Sequence, residues 1–292
     1  MIEEGTKPLE TPSGKGAGDE NFPVGSFLLP RPLRPHVARY YAFARAIDDI
    51  ADNPELPAEE KIARLSRFAE AINGLAGAGG GLEKATALRD SLLATNVPLR
   101  HASDLTVAFI QDARQNRYDS WVQLLGYCEN SANPVGRYLL ALHGETDEAA
   151  YRASDALCSA LQVLNHLQDC AEDFRTLDRV YLPQDWMTLE RATVSDLMRP
   201  ALTPNLRRVL DRCLAARGGL LREARPLPGL LRSRRLAMES AAIWRIAQRL
   251  SAKLKRQDPL ARRVQLGKPE FLACGLGGAL AALLRYGEGR RP

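Results

Sequence analysis

The 292-residue sequence predicts an all-α protein. Apolar residues recur with a period near 3.6 wherever a pattern exists, and no segment alternates like a β-strand for long. Breakers rich in proline, glycine and asparagine separate the periodic segments. A chain with 45% apolar and 26% charged residues can also bury a sizeable core. We therefore expect about ten helices in one large domain.

The predicted helices follow one another with breakers between them. In chain order they cover residues 37–51, 59–75, 82–93, 103–116, 121–128, 134–143, 148–174, 203–221 and 233–255, followed by a shorter apolar run at 271–284. Typical breakers are Asn53-Pro54, the glycine cluster at 77–81 and Asp258-Pro259. The last run contains three glycines and falls short of the ~20 apolar residues that span a bilayer. We interpret it as a packed helix.

The opening stretch predicts a flexible tail at residues 1–20, ahead of a catalytic domain at 21–292. It has almost no apolar periodicity, so it cannot repay the entropy of becoming ordered. Glu3, Glu4 and Lys7 come too early for a secretory signal. The five cysteines are odd in number and form no C-x-x-C pair. This argues against a disulfide framework or a zinc site and favours the cytoplasm.

The formal charge is +5, and arginine is dense from residue 207 to residue 263. One interpretation is a solvated helical face. Another is attraction to anionic lipid headgroups or to a phosphorylated substrate. We expect no nucleic-acid partner, because no aromatic residues alternate with the basic ones and no binding motif is present.

Two Asp-x-x-x-Asp clusters lie inside otherwise apolar helical segments, one at Asp48 and Asp52 and the other at Asp169 and Asp173. Carboxylates four positions apart on a helix point the same way and repel each other. A compensating charge is therefore expected, and a divalent cation is the natural candidate. One such cluster alone would indicate only a solvated face, whereas two in apolar helices favour a metal site.

The second cluster continues a polar stripe along its helix. Gln162, Asn165, Asp169 and Asp173 fall at i, i+3, i+7 and i+11. Such a stripe must face partners or water in a cavity, since burying unpaired amides and carboxylates is unfavourable. Gln162 and Asn165 alone would also fit satisfied amides of the core.

The first cluster shares a helix face with Tyr41 and Arg45. Its acids come at the end of the predicted helix, just before Asn53-Pro54, where the helix dipole disfavours negative charge. Magnesium prefers oxygen ligands and commonly combines one or two carboxylates with substrate phosphates. Several Mg²⁺ ions held by two such helices across a cavity would stabilise a diphosphate leaving group. Arg45 and Arg179 would add donors to phosphate oxygens.

Four segments carry a resemblance to a known family: YYAFARAIDDIAD, YCENSANPVGRYLL, LQVLNHLQDCAEDF and RVYLPQDWM. Over residues 22–266 the sequence resembles the squalene/phytoene synthase family. The resemblance implies a single helical domain of the isoprenoid-synthase type with a central cavity, and Mg²⁺ at the paired aspartates. It implies catalytic and metal-binding roles for Asp48, Asp52, Asp169 and Asp173. It implies substrate binding by Tyr41, Arg45, Gln162, Asn165, Arg179, Ser26 and Phe27.

The sequence departs from the usual family pattern at three places. Gln168 replaces an arginine, Glu129 and Asn130 replace an aromatic region after Tyr-Cys, and the segment ENFPVGSFLLP differs from that of condensing members. These departures resemble the hydroxysqualene synthase branch of the hopanoid pathway. That branch ionises presqualene diphosphate, rearranges the cation and captures it with water, with no need for NADPH. We expect Glu129, Asn130 and Gln168 to admit or orient that water.

Two alternatives stay open at this point. The first is head-to-head condensation of two farnesyl diphosphates to presqualene diphosphate or squalene. The second is a non-catalytic helical module at a lipid surface.

Because substrate and product are both hydrophobic, we also expect peripheral contact with the inner face of the membrane.

Overall fold

The computed structural model describes residues 29–75 and 79–288, with side chains through residue 283. Over these ranges the chain forms twelve α-helices and two short 3-10 helices, and its only β-type pairing is an isolated bridge between Arg117 and Val180. The predicted all-α class is confirmed. The predicted tail at residues 1–20, and the candidate residues Ser26 and Phe27, lie outside the described residues.

The helices are α1 (Arg34–Ala51), α2 (Ala58–Asn73), α3 (Glu83–Ala94), α4 (Arg100–Asp112), α5 (Trp121–Ser131), α6 (Asn133–Leu142), α7 (Glu148–Leu177), α8 (Gln184–Leu189), α9 (Pro204–Ala224), α10 (Leu227–Leu230), α11 (Arg234–Leu254) and α12 (Lys268–Glu288). Ten of them match the ten periodic segments of the sequence. The two that were not predicted, α8 and α10, have six and four residues. They are too short to display a 3.6-residue period.

The described residues divide into two compact units, and the first contains α1 to α4 in residues 31–75 and 79–115. Helix α1 packs against the other three, and the rings of Phe43 and Phe68 lie 6.1 Å apart in this core. Helix α1 ends before Asn53-Pro54, as the restriction ahead of proline predicts. Helix α2 ends at Gly74, whose φ of 77° is the left-handed conformation that favours glycine.

The second unit contains α5 to α12 in residues 29–30 and 116–288. Its longest helix, α7, has 30 residues and packs against α5, α6, α9, α10 and α11. Helices α6 and α7 approach closely at Gly136, where a β-carbon would lie 2.6 Å from the Cys158 sulfur. Asp147 caps α7 by accepting a hydrogen bond from the Ala149 amide, and Thr203 and Ser233 cap α9 and α11 in the same way.

The sequence predicted no membrane-spanning helix and one domain that begins at residue 21. None of the helices in residues 29–75 and 79–288 combines the length and the apolar character needed to cross a membrane. The domain boundary predicted at residue 21 stays a prediction.

Candidate active site

The first acidic cluster lies at the end of α1, in the first unit. Arg45 donates from Nη1 to Asp48 Oδ2 and from Nη2 to Asp49 Oδ1, both at 2.8 Å. The side chain of Arg45 is 19% exposed and that of Asp49 is 13% exposed. The repulsion between neighbouring carboxylates, which the sequence led us to expect, is therefore relieved by the guanidinium of the same helix.

The predicted functional face of α1 is partly exposed, whereas its other side forms the core. Phe43, Ile47 and Ile50 are fully buried. The partly exposed positions on the functional face are Tyr41, Arg45, Asp48, Asp49 and Asp52. Asp52 is the C-cap of the helix, and its amide bonds to the Asp48 carbonyl. The α1 carboxylates thus stay accessible to a ligand while the helix is held by its apolar side.

The second acidic cluster lies near the end of α7, in the second unit. Its predicted stripe is a continuous partly exposed face, formed by Gln162, Asn165, Asp169 and Asp173. Leu164, Leu167 and Cys170 beside it are buried. Burial raises the pKa of the Cys170 thiol to about 12, so this cysteine is protonated at neutral pH and does not act as a nucleophile.

An arginine that the sequence reasoning did not single out contacts this cluster. Arg263 Nε lies 3.1 Å from Asp169 Oδ1, and Arg263 Nη2 donates to Asp169 Oδ2 at 3.2 Å. Arg263 follows α11 and comes 94 residues after Asp169 in the chain. Only its membership in the arginine-dense segment was visible in the sequence, and nothing local distinguishes it from its neighbour Arg262.

Gln168 holds the segment that carries Arg263. Its side chain is almost fully buried, and its Nε2 donates to the Val264 carbonyl at 2.5 Å. The residue that replaces the family's usual arginine therefore fixes the backbone directly next to Arg263. Its predicted role in orienting water stays a prediction.

His166 and Arg179 form a buried polar group beside the α7 stripe. The His166 ring stacks on Tyr181 with a centroid distance of 3.6 Å. Burial, together with the nearby charge of Arg179, lowers the pKa of His166 to about 3, so its ring is neutral at physiological pH. Arg179 is 5% exposed and directly follows the α7 C-cap. His166 was not among the predicted site residues.

The end of α7 is fixed one turn beyond Asp173. Asp178 adopts a left-handed conformation with φ of 51° and accepts a hydrogen bond from Arg117 Nη2 at 2.6 Å. The Arg117 guanidinium also lies 5.6 Å from the centre of the Phe174 ring. These contacts anchor the C-terminal end of α7.

The remaining predicted residues lie on α5. Glu129 is exposed and Asn130 is partly exposed, near the end of that helix. The preceding Tyr127 and Cys128 are buried. Their predicted role with water stays a prediction.

The donor set of both clusters suits a magnesium ion bound together with a phosphate. Each cluster offers partly exposed aspartates four positions apart, and hard oxygen ligands are those that Mg²⁺ prefers. Within the described residues, no group of three or more acidic, histidine or cysteine side chains is placed to hold a metal. A cation at either aspartate pair would therefore take further ligands from a bound phosphate or from water.

Comparisons with known proteins extend over most of the chain. The family model described as squalene/phytoene synthase matches residues 16–270. The hydroxysqualene synthase of Rhodopseudomonas palustris is 39% identical over 98% of this chain and 97% of its own. That of Zymomonas mobilis is 38% identical over 93% of this chain and 91% of its own.

A solved structure supports the same conclusion. The squalene synthase of Alicyclobacillus acidocaldarius superposes with a TM-score of 0.71 and 32% identity, covering 82% of this chain and 90% of that one. The resemblance seen in the sequence motifs and the isoprenoid-synthase fold that it implied are both confirmed. With a matching family model, relatives along nearly its whole length and a shared fold, the chain belongs to the squalene/phytoene synthase family.

Proposed function

We propose that this enzyme ionises presqualene diphosphate and captures the rearranged cation with water to give hydroxysqualene and diphosphate. Membership in the family makes the chain an enzyme that processes prenyl diphosphates, rather than a non-catalytic module. The observation that carries the diphosphate chemistry is the partly exposed aspartate face on each of α1 and α7, each in contact with an arginine. The choice of product is supported by the hydroxysqualene synthases that match this chain.

The proposal gives each cluster a share in binding one substrate diphosphate. Asp48, Asp52, Asp169 and Asp173 would hold Mg²⁺, since their carboxylates are accessible hard ligands. When bound, the metal neutralises charge that develops on the leaving diphosphate. Arg45 already points its fork at the α1 carboxylates, so the same donors lie within reach of phosphate oxygens held there. A chamber shared by the two clusters stays a prediction.

Arg179, Gln162, Asn165 and Tyr41 complete the proposed substrate contacts. Gln162 and Asn165 extend the α7 stripe by two turns, which suits hydrogen bonds to the diphosphate or to ordered water. Tyr41 extends the α1 face in the same way. Buried Arg179 provides a fixed positive charge next to the α7 stripe.

The reaction balances without a reductant. The carbon–oxygen bond to diphosphate breaks, and the cyclopropylcarbinyl cation rearranges. Water then forms a new carbon–oxygen bond and releases one proton. No hydride is transferred, so we expect no NADPH requirement. Glu129, Asn130 and Gln168 are the residues we assign to the water, since they replace the family's usual residues at those positions.

A second candidate is head-to-head condensation of two farnesyl diphosphates. It is favoured by the squalene synthase that shares this fold at 32% identity. This reaction would use the same aspartates but would consume a different substrate, and it would need NADPH if it continued to squalene.

Product analysis separates the two candidates. The purified protein with Mg²⁺ is given presqualene diphosphate or farnesyl diphosphate, each with and without NADPH, and the products are identified by mass spectrometry. Because presqualene diphosphate also decomposes in water, the doubly substituted Asp48→Asn/Asp169→Asn protein serves as the background. We expect hydroxysqualene from presqualene diphosphate alone, unaffected by NADPH. Squalene or presqualene diphosphate formed from farnesyl diphosphate would establish the second candidate instead.

The water assignment has a separate test. Replacing Glu129 with leucine removes a carboxylate at an exposed position, where little effect on folding is expected. If Glu129 helps to place water, the hydroxylated fraction of the product falls while release of diphosphate continues. An unchanged product spectrum would remove Glu129 from the assignment.

We also propose peripheral contact with the inner face of the membrane, because both the substrate and the product of this reaction are hydrophobic.

A further inference from the structure

Helix α12 presents a row of leucines to solvent. Leu272, Leu276, Leu280 and Leu283 are 63%, 72%, 58% and 39% exposed. Their spacing of i, i+4, i+8 and i+11 places them on one side of the helix, here called the leucine face. The sequence carries no charged residue from 271 to 284. A contiguous exposed apolar surface of this kind marks a site of interaction rather than ordinary scatter of apolar residues.

The opposite side of α12 is already packed. A β-carbon at Gly278 would lie 2.5 Å from the Ala242 Cα, so α12 and α11 meet at backbone distance. Ala282, one turn further on, is buried in the same interface. The helix is therefore packed through its small residues, while the leucine face is left largely exposed.

A basic cavity adjoins this helix. It has a volume of about 690 Å³ and lies between α9, α10, α11 and α12. Its charged lining consists of Arg217, Arg222, Arg225, Arg245 and Lys255 and includes no carboxylate. We call it the arginine cavity. Among the described side chains, none of these five cations forms an ion pair.

Arginines on the same two helices outside the cavity behave differently. Arg208 and Arg212 on α9 both pair with Glu190, at 2.7 and 2.5 Å. Arg249 on α11 pairs with Glu270 at 2.9 Å. The arginine-dense segment thus contains some cations that are neutralised by carboxylates and others that are gathered around one cavity. The second group forms a concentrated positive field that attracts an anion.

Arg217 lies at the base of the arginine cavity. It is 4% exposed, its guanidinium contacts the Ser251 hydroxyl and the Ala247 carbonyl, and its buried Nε has no hydrogen-bond partner among the described residues. Burial lowers its pKa to about 10, so it stays positive at neutral pH. A buried cation with an unsatisfied donor and no carboxylate is stabilised when an anion enters.

The leucine face and the arginine cavity border each other. Arg245 lines the cavity, and its Nη1 would lie 2.7 Å from a β-carbon at Gly277, directly next to Leu276. Ala281, next to Leu280, lines the cavity as well. Apolar and cationic groups are therefore parts of one surface of the second unit.

We propose that this surface docks the protein on an anionic phospholipid membrane. The leucine face enters the boundary between headgroups and acyl chains, as interfacial helices do, and the arginine cavity receives the phosphate of one lipid headgroup. The charge pattern favours a membrane over a second copy of the chain. A second copy packed through this face would offer no carboxylate to the cavity, since neither its own leucine face nor its own cavity lining contains one.

The test is co-sedimentation of the full-length protein with vesicles. Vesicles of phosphatidylcholine alone are compared with vesicles that also contain phosphatidylglycerol, at low and high salt. We expect binding to the anionic vesicles only, weakened by salt. The variant Leu276→Ser/Leu280→Ser should lose most of it. The variant Arg222→Gln/Arg245→Gln should weaken it roughly 10- to 30-fold, the effect expected for two surface arginines.

Matched control variants show whether binding depends on this particular surface or only on the net charge and exposed apolar residues of the protein. Arg208→Gln/Arg212→Gln removes the same charge from ion-paired positions, and Leu189→Ser removes a leucine that is 62% exposed on α8. Both should bind as the unchanged protein does. Equal loss in the Arg208/Arg212 control would show that only net charge matters and would overturn the proposal. Circular dichroism of each variant verifies folding, and Arg222→Gln alone replaces the double variant if the latter unfolds.

Three further outcomes would also overturn it. Absence of binding to anionic vesicles would exclude the membrane. Loss of inorganic phosphate binding in the Arg222→Gln/Arg245→Gln variant, with vesicle binding unchanged, would assign the cavity to a free phosphate. A dimer in sedimentation analysis that Leu276→Ser/Leu280→Ser converts to a monomer would assign the leucine face to a second copy. None of these outcomes depends on the substrate of the enzyme.

Discussion

The two acidic clusters are built from the same spacing but are neutralised in different ways. Tyr41, Arg45, Asp48 and Asp52 on α1 have the same intervals as Gln162, His166, Asp169 and Asp173 on α7. In α1 the second residue of this set is Arg45, a cation that contacts Asp48 directly. In α7 the equivalent residue is His166, which is neutral. The cation that contacts Asp169 is Arg263, which lies 94 residues further along the chain.

This difference separates a local site from a tertiary one. The α1 arrangement needs only a helix, because residues three and four apart are neighbours on its surface. The α7 arrangement needs the segment after α11 to be in place, and Gln168 holds that segment through Val264. The α1 cluster should therefore tolerate loss of tertiary contacts better than the α7 cluster does.

The largest expected effect comes from the carboxylates themselves. Asp48→Asn and Asp169→Asn each remove a proposed metal ligand and should lower kcat for diphosphate release by roughly 10³-fold or more, since metal stabilisation of the leaving group is worth several kcal/mol. Single-turnover release of diphosphate with excess Mg²⁺ measures this. Glu172→Gln, an exposed acid on α7, is the matched control and should be near normal. If either aspartate variant kept a tenth of the activity, that cluster would not bind the metal.

The next largest effect is a loss of kcat/KM that should be greater at Arg45 than at Arg263. Lysine keeps the charge but loses the fork, so Arg45→Lys should lower kcat/KM by about 100-fold and Arg263→Lys by about tenfold. The difference is expected because Arg45 contacts two carboxylates at 19% exposure, whereas Arg263 contacts one at 47% exposure.

Controls for this pair lie on the same elements. Arg39→Lys on α1 and Arg262→Lys beside Arg263 change exposed arginines outside the clusters and should leave kcat/KM unchanged. Equal effects of Arg45→Lys and Arg263→Lys would show that the local and the tertiary arginine are equivalent in the reaction.

The contrast also explains what the sequence could reveal. The helices, the partly exposed aspartate faces and the place of Arg45 follow from the 3.6-residue period, which is a local property. The contacts of Arg263 with Asp169 and of Gln168 with Val264 join residues 94 and 96 positions apart. No spacing rule encodes such contacts, so the residue that completes the second cluster was visible only in the folded chain. The proposed cavity chemistry of α9 and α11 was hidden for the same reason, since paired and unpaired arginines look alike in the sequence.

A smaller effect tests whether Gln168 acts through Arg263. Gln168→Leu leaves the Val264 carbonyl without its partner, which should lower the free energy of unfolding in urea by about 1–3 kcal/mol. If its effect on activity arises by displacing Arg263, the double variant Gln168→Leu/Arg263→Lys should be no less active than the more impaired single variant. Fully additive losses would mean that Gln168 acts on the reaction independently of Arg263.

The smallest effect is a pH-dependent change in stability that arises from His166, the residue of the α7 cluster at the position equivalent to Arg45. The pKa of His166 is about 3 in the folded protein and about 6.5 in an unfolded chain, so the unfolded state binds more protons between these values. The contribution of neutral His166 to the free energy of unfolding is therefore fully present above about pH 6.5 and is lost as the pH decreases toward about 3.

The variant His166→Phe keeps a ring against Tyr181 but removes the titratable group. Between pH 7 and pH 5 the unchanged protein should lose about 1–2 kcal/mol more unfolding free energy than the variant, measured in urea. Equal losses in the two proteins would show that folding does not lower the pKa of His166, and that at pH 5 the α7 cluster, like the α1 cluster, has a cation on its own helix.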